Sequence, residues 1–293
     1  EAFFGVENSA HVPLATEPQI WPVHTTPLSK RTHAACFLGN CFRQSDEWVA
    51  GLSSDLRRRV EAIVTDKAAN LDEPMVACVN RAMASDPAAV AAFTAPPGRA
   101  NDLNDVFDHW CVIEALLRKK LRYERISALA NALGDQLVLC GQGWSKLGLT
   151  AVKAHSGVPD AGDFYGSCKA SLNLFGGCVH SGMPLRPFEI CSSGGLLFTQ
   201  YNRELPALFD IGRECIAFRT TDEMLARMDR ILTAPGEFDA VVKAGRQRVL
   251  RDHLPSEASP NPARCGRSTA SRRGAAAPPS ARIPLPANDS SGS

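Results

Sequence analysis

The sequence predicts an α/β chain whose parallel sheet is covered by helices on both faces. Three observations predict it. Short apolar runs recur without the alternation of a one-sided strand, helical periodicity fills the intervals between them, and glycines sit at the ends of the runs. Such a chain places ligands beyond the strand C-termini, in the glycine-rich loops.

The elements follow in order. Residues 1–33 are proline-spaced, hold a Trp21-Pro22 step and carry little periodicity, so they read as a connector or the remnant of an N-terminal domain. Ala34-Ala-Cys-Phe-Leu-Gly-Asn40 is a short apolar run stopped by glycine, which suits a buried strand. Residues 46–94 bring Val49, Leu52, Leu56, Val60, Ile63 and Val64 at helical spacing, and Pro96-Pro97-Gly98 breaks that region. Two further helices are expected, at Asn104–Arg118 and Glu124–Leu133, which makes about 46–120 a helical insertion. Four more strands are expected at Leu137–Cys140, Ala170–Phe175, Leu196–Thr199 and Cys215–Phe218. A short helix is expected around Phe164–Lys169, and others at 185–193, 203–210, 221–233 and 236–252, so that 34–253 forms one domain. After His253 large apolar side chains nearly vanish, and 254–293 reads as a disordered tail.

Composition narrows the function. Lys and Arg number 32 against 31 Asp and Glu, a balance that points to no nucleic-acid partner. No apolar run approaches the roughly 18 residues that span a membrane. The ten cysteines form no CxxC pair and sit mostly in apolar stretches, as reduced structural cysteines do, which fits a cytoplasmic compartment. The histidines lack metal-ligand spacing, so no metal is expected; His155 is placed in a polar loop.

Gly141-Gln-Gly143 lacks the third glycine and the acidic residue of a dinucleotide fingerprint, and no P-loop or GxSxG elbow occurs. Four glycine loops remain: Gly39-Asn40, Gly141-Gln-Gly143, Gly176-Gly177 and Gly194-Gly195. Arg43, Arg186 and Glu189 lie in or just after them. The stretch Ser181–Gly195 carries the clearest signal: a loop, a short helix with proline near its start, and a glycine pair at its end. Free N–H groups at such a helix start, with Arg186, suit an anion, and Glu189 one turn further in suits a ribose diol. A solvated Arg–Glu pair on an ordinary helix is the plain alternative.

Together, Arg125-Ile-Ser-Ala-Leu129, Leu137-Val-Leu-Cys-Gly-Gln-Gly-Trp144, Tyr165, Lys169-Ala-Ser-Leu-Asn173, Leu185-Arg-Pro-Phe-Glu189 and Ser193-Gly-Gly-Leu-Leu-Phe-Thr199 resemble the CgeB-type spore-protein glycosyltransferases. Leu208-Phe-Asp-Ile-Gly-Arg-Glu214 and Ala244-Gly-Arg-Gln-Arg-Val-Leu250 are similar to that family's closing segments. The resemblance implies a Rossmann-like sheet, the C-terminal half of a GT-B glycosyltransferase, with the acceptor-binding half outside this chain. It implies a nucleotide-diphosphate sugar as donor substrate, no separate cofactor and an acceptor of unspecified class (protein, glycan or small molecule). Glu189 would hold the donor ribose, Gly182 and Arg186 would meet the diphosphate, and Gly39 with Arg43 would form the opposing loop. No catalytic base is assigned. A sugar-nucleotide epimerase on the same architecture and a non-catalytic interaction protein are the alternatives.

Overall fold

Ala35 and Phe37 point to one side of a strand and Cys36 to the other, and all three are fully buried, so this strand needs cover on both faces. The same holds for Leu137 and Leu139 against Val138 and Cys140. The computed structural model describes residues 16, 21, 23–41, 50, 53–87, 103–144, 148–149, 153–155, 161–175 and 183–253. Its strands are β1 (His33–Leu38), β2 (Leu137–Cys140), β3 (Lys153–His155), β4 (Cys168–Asn173), β5 (Leu197–Gln200) and β6 (Ile216–Phe218). They pair in parallel throughout, in the order β3-β2-β1-β4-β5-β6. The chain therefore builds outward from β1 to one edge, returns, and builds outward from β4 to the other. That reversal is the topological switch point of a Rossmann-like sheet, and it opens a crevice beyond the ends of β1 and β4.

The expected five strands become six. Lys153-Ala-His155 holds no apolar run, so nothing in its sequence marks it as β3; pairing with β2 makes it a strand, and His155 ends that strand rather than lying in a loop.

Helices are α1 (Ser54–Ala69), α2 (Met75–Ala82), α3 (Leu103–Leu133), α4 (Ala161–Gly166), α5 (Arg186–Ser192), α6 (Leu205–Leu208), α7 (Thr221–Thr233) and α8 (Asp239–Asp252). Where two helices were expected between 104 and 133, α3 runs unbroken for 31 residues, about 46 Å at 1.5 Å per residue. No glycine or proline interrupts it, and the ion pairs Arg118–Glu114 and Lys120–Glu124 at i,i+4 carry it across the charged stretch. Its later turns bury Ile126 and Leu129 against Phe37, Leu139 and Phe218 on one face of the sheet. Its earlier turns leave the sheet and build a separate core with α1 and α2, from Val60, Ile63, Cys78, Val79, Ile113 and Leu117. Buried Lys67 fastens the turn between α1 and α2 by donating to the carbonyls of Asn70, Leu71 and Glu73.

The second face of the sheet is closed by α4, α5, α6 and α8, through Phe164, Tyr165, Phe188, Phe209 and Val249. Helix α4 spans 161–166 rather than 164–169, because Cys168 already pairs with His33 and opens β4. Helix α6 shrinks to four residues, and a 3-10 turn at Pro235–Phe238 precedes α8. At the head of α7, the N-cap Thr220 Oγ1 accepts from Glu223 N at 3.1 Å while the Glu223 carboxylate accepts from Arg219 N, one residue before the cap, at 2.7 Å.

Residues 23–31 pack along the N-terminal edge of the sheet. Leu28 is fully buried, and Arg31 donates to four carbonyls: Thr26 (3.1 Å), Tyr165 (3.4 Å), Cys168 (3.0 Å) and Gly194 (2.8 Å). Gly194 sits just past α5 at φ +80°, where a Cβ would run into the His24 carbonyl. The Gly194-Gly195 turn thus enters β5 from below, at the edge opposite the strand C-termini, and leaves the set of candidate ligand loops. The expected tail at 254–293 and the Gly176-Gly177 loop lie outside the described residues.

Candidate active site

At the C-terminal edge the β1 and β2 loops are bonded into one layer. Gly39 N donates to Cys140 O (2.8 Å), Cys41 N to Gln142 O (2.9 Å), and Gln142 N to the Asn40 side chain (2.9 Å). Trp144 Nε1 donates to Gly39 O at 2.7 Å, and its ring meets Phe37 edge-on at 5.8 Å. Gly141 takes φ +137°, a conformation that L side chains avoid, and a Cβ there would enter the Gly39 carbonyl.

Above Gly39 lies Arg122 of α3. It is buried, donates Nη1 to Asn40 O at 2.6 Å and holds its guanidinium 5.4 Å from the Phe37 ring centre. Burial pushes its pKa down to about 9, and the cations of Arg118 and Arg186 add to the shift. Arg118 and Arg122 come from one face of the sheet, Arg186 from α5 on the other. Cations from both helical layers therefore meet at Arg122, which is repelled by Arg186 and by Arg118, the latter paired with Glu114.

Arg186 is half-buried, and its Nε is buried with no hydrogen-bond partner among the described residues. Its guanidinium lies against the Tyr165 hydroxyl and partly offsets the rise that burial imposes on that phenol. Glu189 is half-buried on the next turn; burial raises its pKa, and Arg186 opposes the rise without forming an ion pair among the described residues.

The backbone of α5 differs from expectation. Pro187 has no N–H, and the amides of Phe188 and Glu189 both donate to Leu185 O, at 3.0 and 3.2 Å. The helix start is thus largely satisfied by its own first carbonyl, and the positive character of the site comes from side chains rather than from a row of free amides.

Of the sequence-predicted residues, Gly39, Arg186 and Glu189 lie at this edge. Arg43 and Gly182 lie outside the described residues. Sequence reading missed Arg118, Arg122 and Tyr165. Arg118, Arg122 and Arg125 recur at i, i+4 and i+7 within the charged stretch of the helix, and that spacing, which sets them on one face, was the available signal. Arg125 extends the stripe along the edge: it donates to Gln200 Oε1 and to Arg219 O (3.2 Å) and is pushed down by burial to about 10. Arg219 in turn stacks 3.5 Å from the Tyr201 ring centre and pairs with Asp72, tying the α1–α2 layer to the ends of β5 and β6.

A neutral residue at 189 should stabilise the ligand-free protein. Because the Glu189 pKa is raised on folding, the folded chain holds the proton more tightly, and stability falls as pH rises from the ordinary carboxylate range through the raised value. Glu189→Gln should therefore be more stable than the parent at pH 7 in denaturant melts, with the gain shrinking as pH falls through that window. A constant gain across pH would contradict it.

Against known proteins, a family model described as glycosyl transferase-like matches residues 118–258, a little under half of the chain. The matched segment opens at Arg118 and includes every described residue of the site except the β1 loop. No curated protein matches the chain. Among the described residues no helix is long and apolar enough to cross a membrane.

Proposed function

We propose that the glycosyl transferase-like segment works as the donor-binding half of a glycosyltransferase of the CgeB type, taking a nucleotide-diphosphate sugar at the switch point and passing the sugar to an acceptor held by a facing domain. The observation that carries the reading is the convergence of Arg118, Arg122 and Arg186 over Gly39, with Glu189 set beside them. Arg122 and Arg186, held near each other at a cost to Arg122, are suited to an anion, and a diphosphate supplies both the charge and the oxygens for bidentate contacts. Glu189, one turn along α5, is placed to accept the two hydroxyls of the adjoining ribose. Catalysis then consists of holding the donor and stabilising the charge that grows on the departing diphosphate, with no reorganisation of the arginines at the moment of transfer. Arg43 and Gly182 are assigned to the same diphosphate. The free buried cysteines fit a reducing compartment, and the cytoplasm is the one proposed.

UDP, GDP or ADP at 100 times its dissociation constant should add about 2.7 kcal/mol to stability and raise the melting temperature. A folded protein whose melting temperature none of the three moves at millimolar concentration would favour a non-catalytic interaction protein on the same fold.

A further inference from the structure

A second cationic site lies at the opposite edge of the sheet and shares no residue with the first. There the strap 23–31, the Gly194 turn and the first turns of α8 enclose a cavity of ≈ 290 Å³. Its charged lining is Arg31, Lys243, Arg246 and Asp239, with His24 beside them. Arg31 is 5% exposed, and its four bonds go to backbone carbonyls, which carry no net charge to offset it. Arg246 donates Nε to Ser192 O at 3.2 Å, and that is its one hydrogen bond among the described residues. Lys243 is exposed at the mouth and makes no ion pair among the described residues. The single carboxylate facing these three cations, Asp239, accepts from Leu28 N at 2.9 Å and offsets the charge of Arg31. His24 is matched by Asp163, 2.8 Å from its Nε2.

The cavity therefore carries two uncompensated positive charges, and its remaining walls are Thr25, Thr26 and Gln247, the Gly194 turn, and apolar surface from Val23, Pro27 and Val242. We infer that this cavity binds a small organic phosphomonoester, its phosphate against Lys243 and Arg246 and its body against the Val23–Val242 wall. A phosphate monoester near neutral pH carries close to two negative charges and three acceptor oxygens, which match the charge excess and the donors present. The volume is at the lower end of the range for ligand cavities, so the organic part is small.

The test is calorimetric titration of the whole chain in low-salt, phosphate-free buffer, with phenyl phosphate, inorganic phosphate and phenol as probes. Phenyl phosphate should bind more tightly than inorganic phosphate, and phenol should give no heat. Lys243→Glu, at an exposed position that leaves folding intact, should weaken phenyl phosphate about tenfold, as expected for one lost charge-assisted contact made repulsive. Asp239→Asn, which keeps an acceptor for Leu28 N, should tighten it. Arg186→Ala and Glu189→Ala should leave it unchanged, so failure here and failure at the switch point are told apart. Binding unchanged in Lys243→Glu, or lost in Arg186→Ala alone, would overturn the inference. Equal affinity for inorganic and phenyl phosphate would overturn the monoester in favour of free phosphate.

Discussion

Arg122→Met should cut nucleotide-diphosphate binding by at least about tenfold, the loss of one charge-assisted contact of roughly 1.5–3 kcal/mol, while the ligand-free protein stays folded. The two halves of that expectation have one cause. Burial first, and two other arginines nearby second, lower the Arg122 pKa, so its charge is held at a cost without an anion present. Methionine keeps the apolar stem against Phe37 and removes the charge. The lost bond to Asn40 O lowers stability, and the relieved repulsion of Arg122 by Arg118 and Arg186 raises it, so the melting temperature should move little. A surface arginine with no ligand role would give the reverse: no change in binding and a stability loss set by the bond alone. Lysine at 122 should restore charge but not bidentate geometry, and should recover binding only in part.

Gly141→Ala should be the most damaging single methyl at the site. The position needs φ +137°, and the added carbon would meet the Gly39 carbonyl and lie 3.0 Å from Asn40 Oδ1. Backbone strain of about 1–3 kcal/mol and overpacking of about 1–3 kcal/mol add, since the obstructing atoms are backbone and cannot rotate away. The clash falls on the bond layer that joins the β1 and β2 loops, so stability and nucleotide binding should drop together. Gly236→Ala, with nothing within 4 Å of the new carbon, is the matched control and should be close to neutral. Chemical denaturation of the two variants side by side checks the difference.

The strands that bury apolar residues on both faces, β1, β2, β4, β5 and β6, were legible because their burial leaves a continuous apolar run. Strand β3 was not, because its three residues are held by pairing with β2 and carry no pattern of their own. The continuous α3 was hidden for a related reason: a charged stretch reads as a break, yet i,i+4 ion pairs and the apolar anchor Leu121 carry the helix through it. At the site, Arg186 and Glu189 could be picked out because they follow a recognisable loop and helix start. Arg122 could not be assigned a place, because its role depends on how far α3 extends and on which strand end it passes. Gly194 shows the converse error. A glycine pair near a strand looks the same in sequence at either end, and only the direction of the chain through α5 and β5 puts it at the lower edge.

The donor site at the switch point is tested most directly by calorimetric titration of UDP, GDP and ADP into the intact chain, beside Arg186→Ala and Glu189→Ala. At least one nucleotide should bind, Arg186→Ala should remove the heat, and Glu189→Ala should weaken every nucleotide that carries a ribose while sparing pyrophosphate. Heat that both variants leave unchanged, or no heat with any of the three at millimolar concentration, would contradict the assignment of these residues.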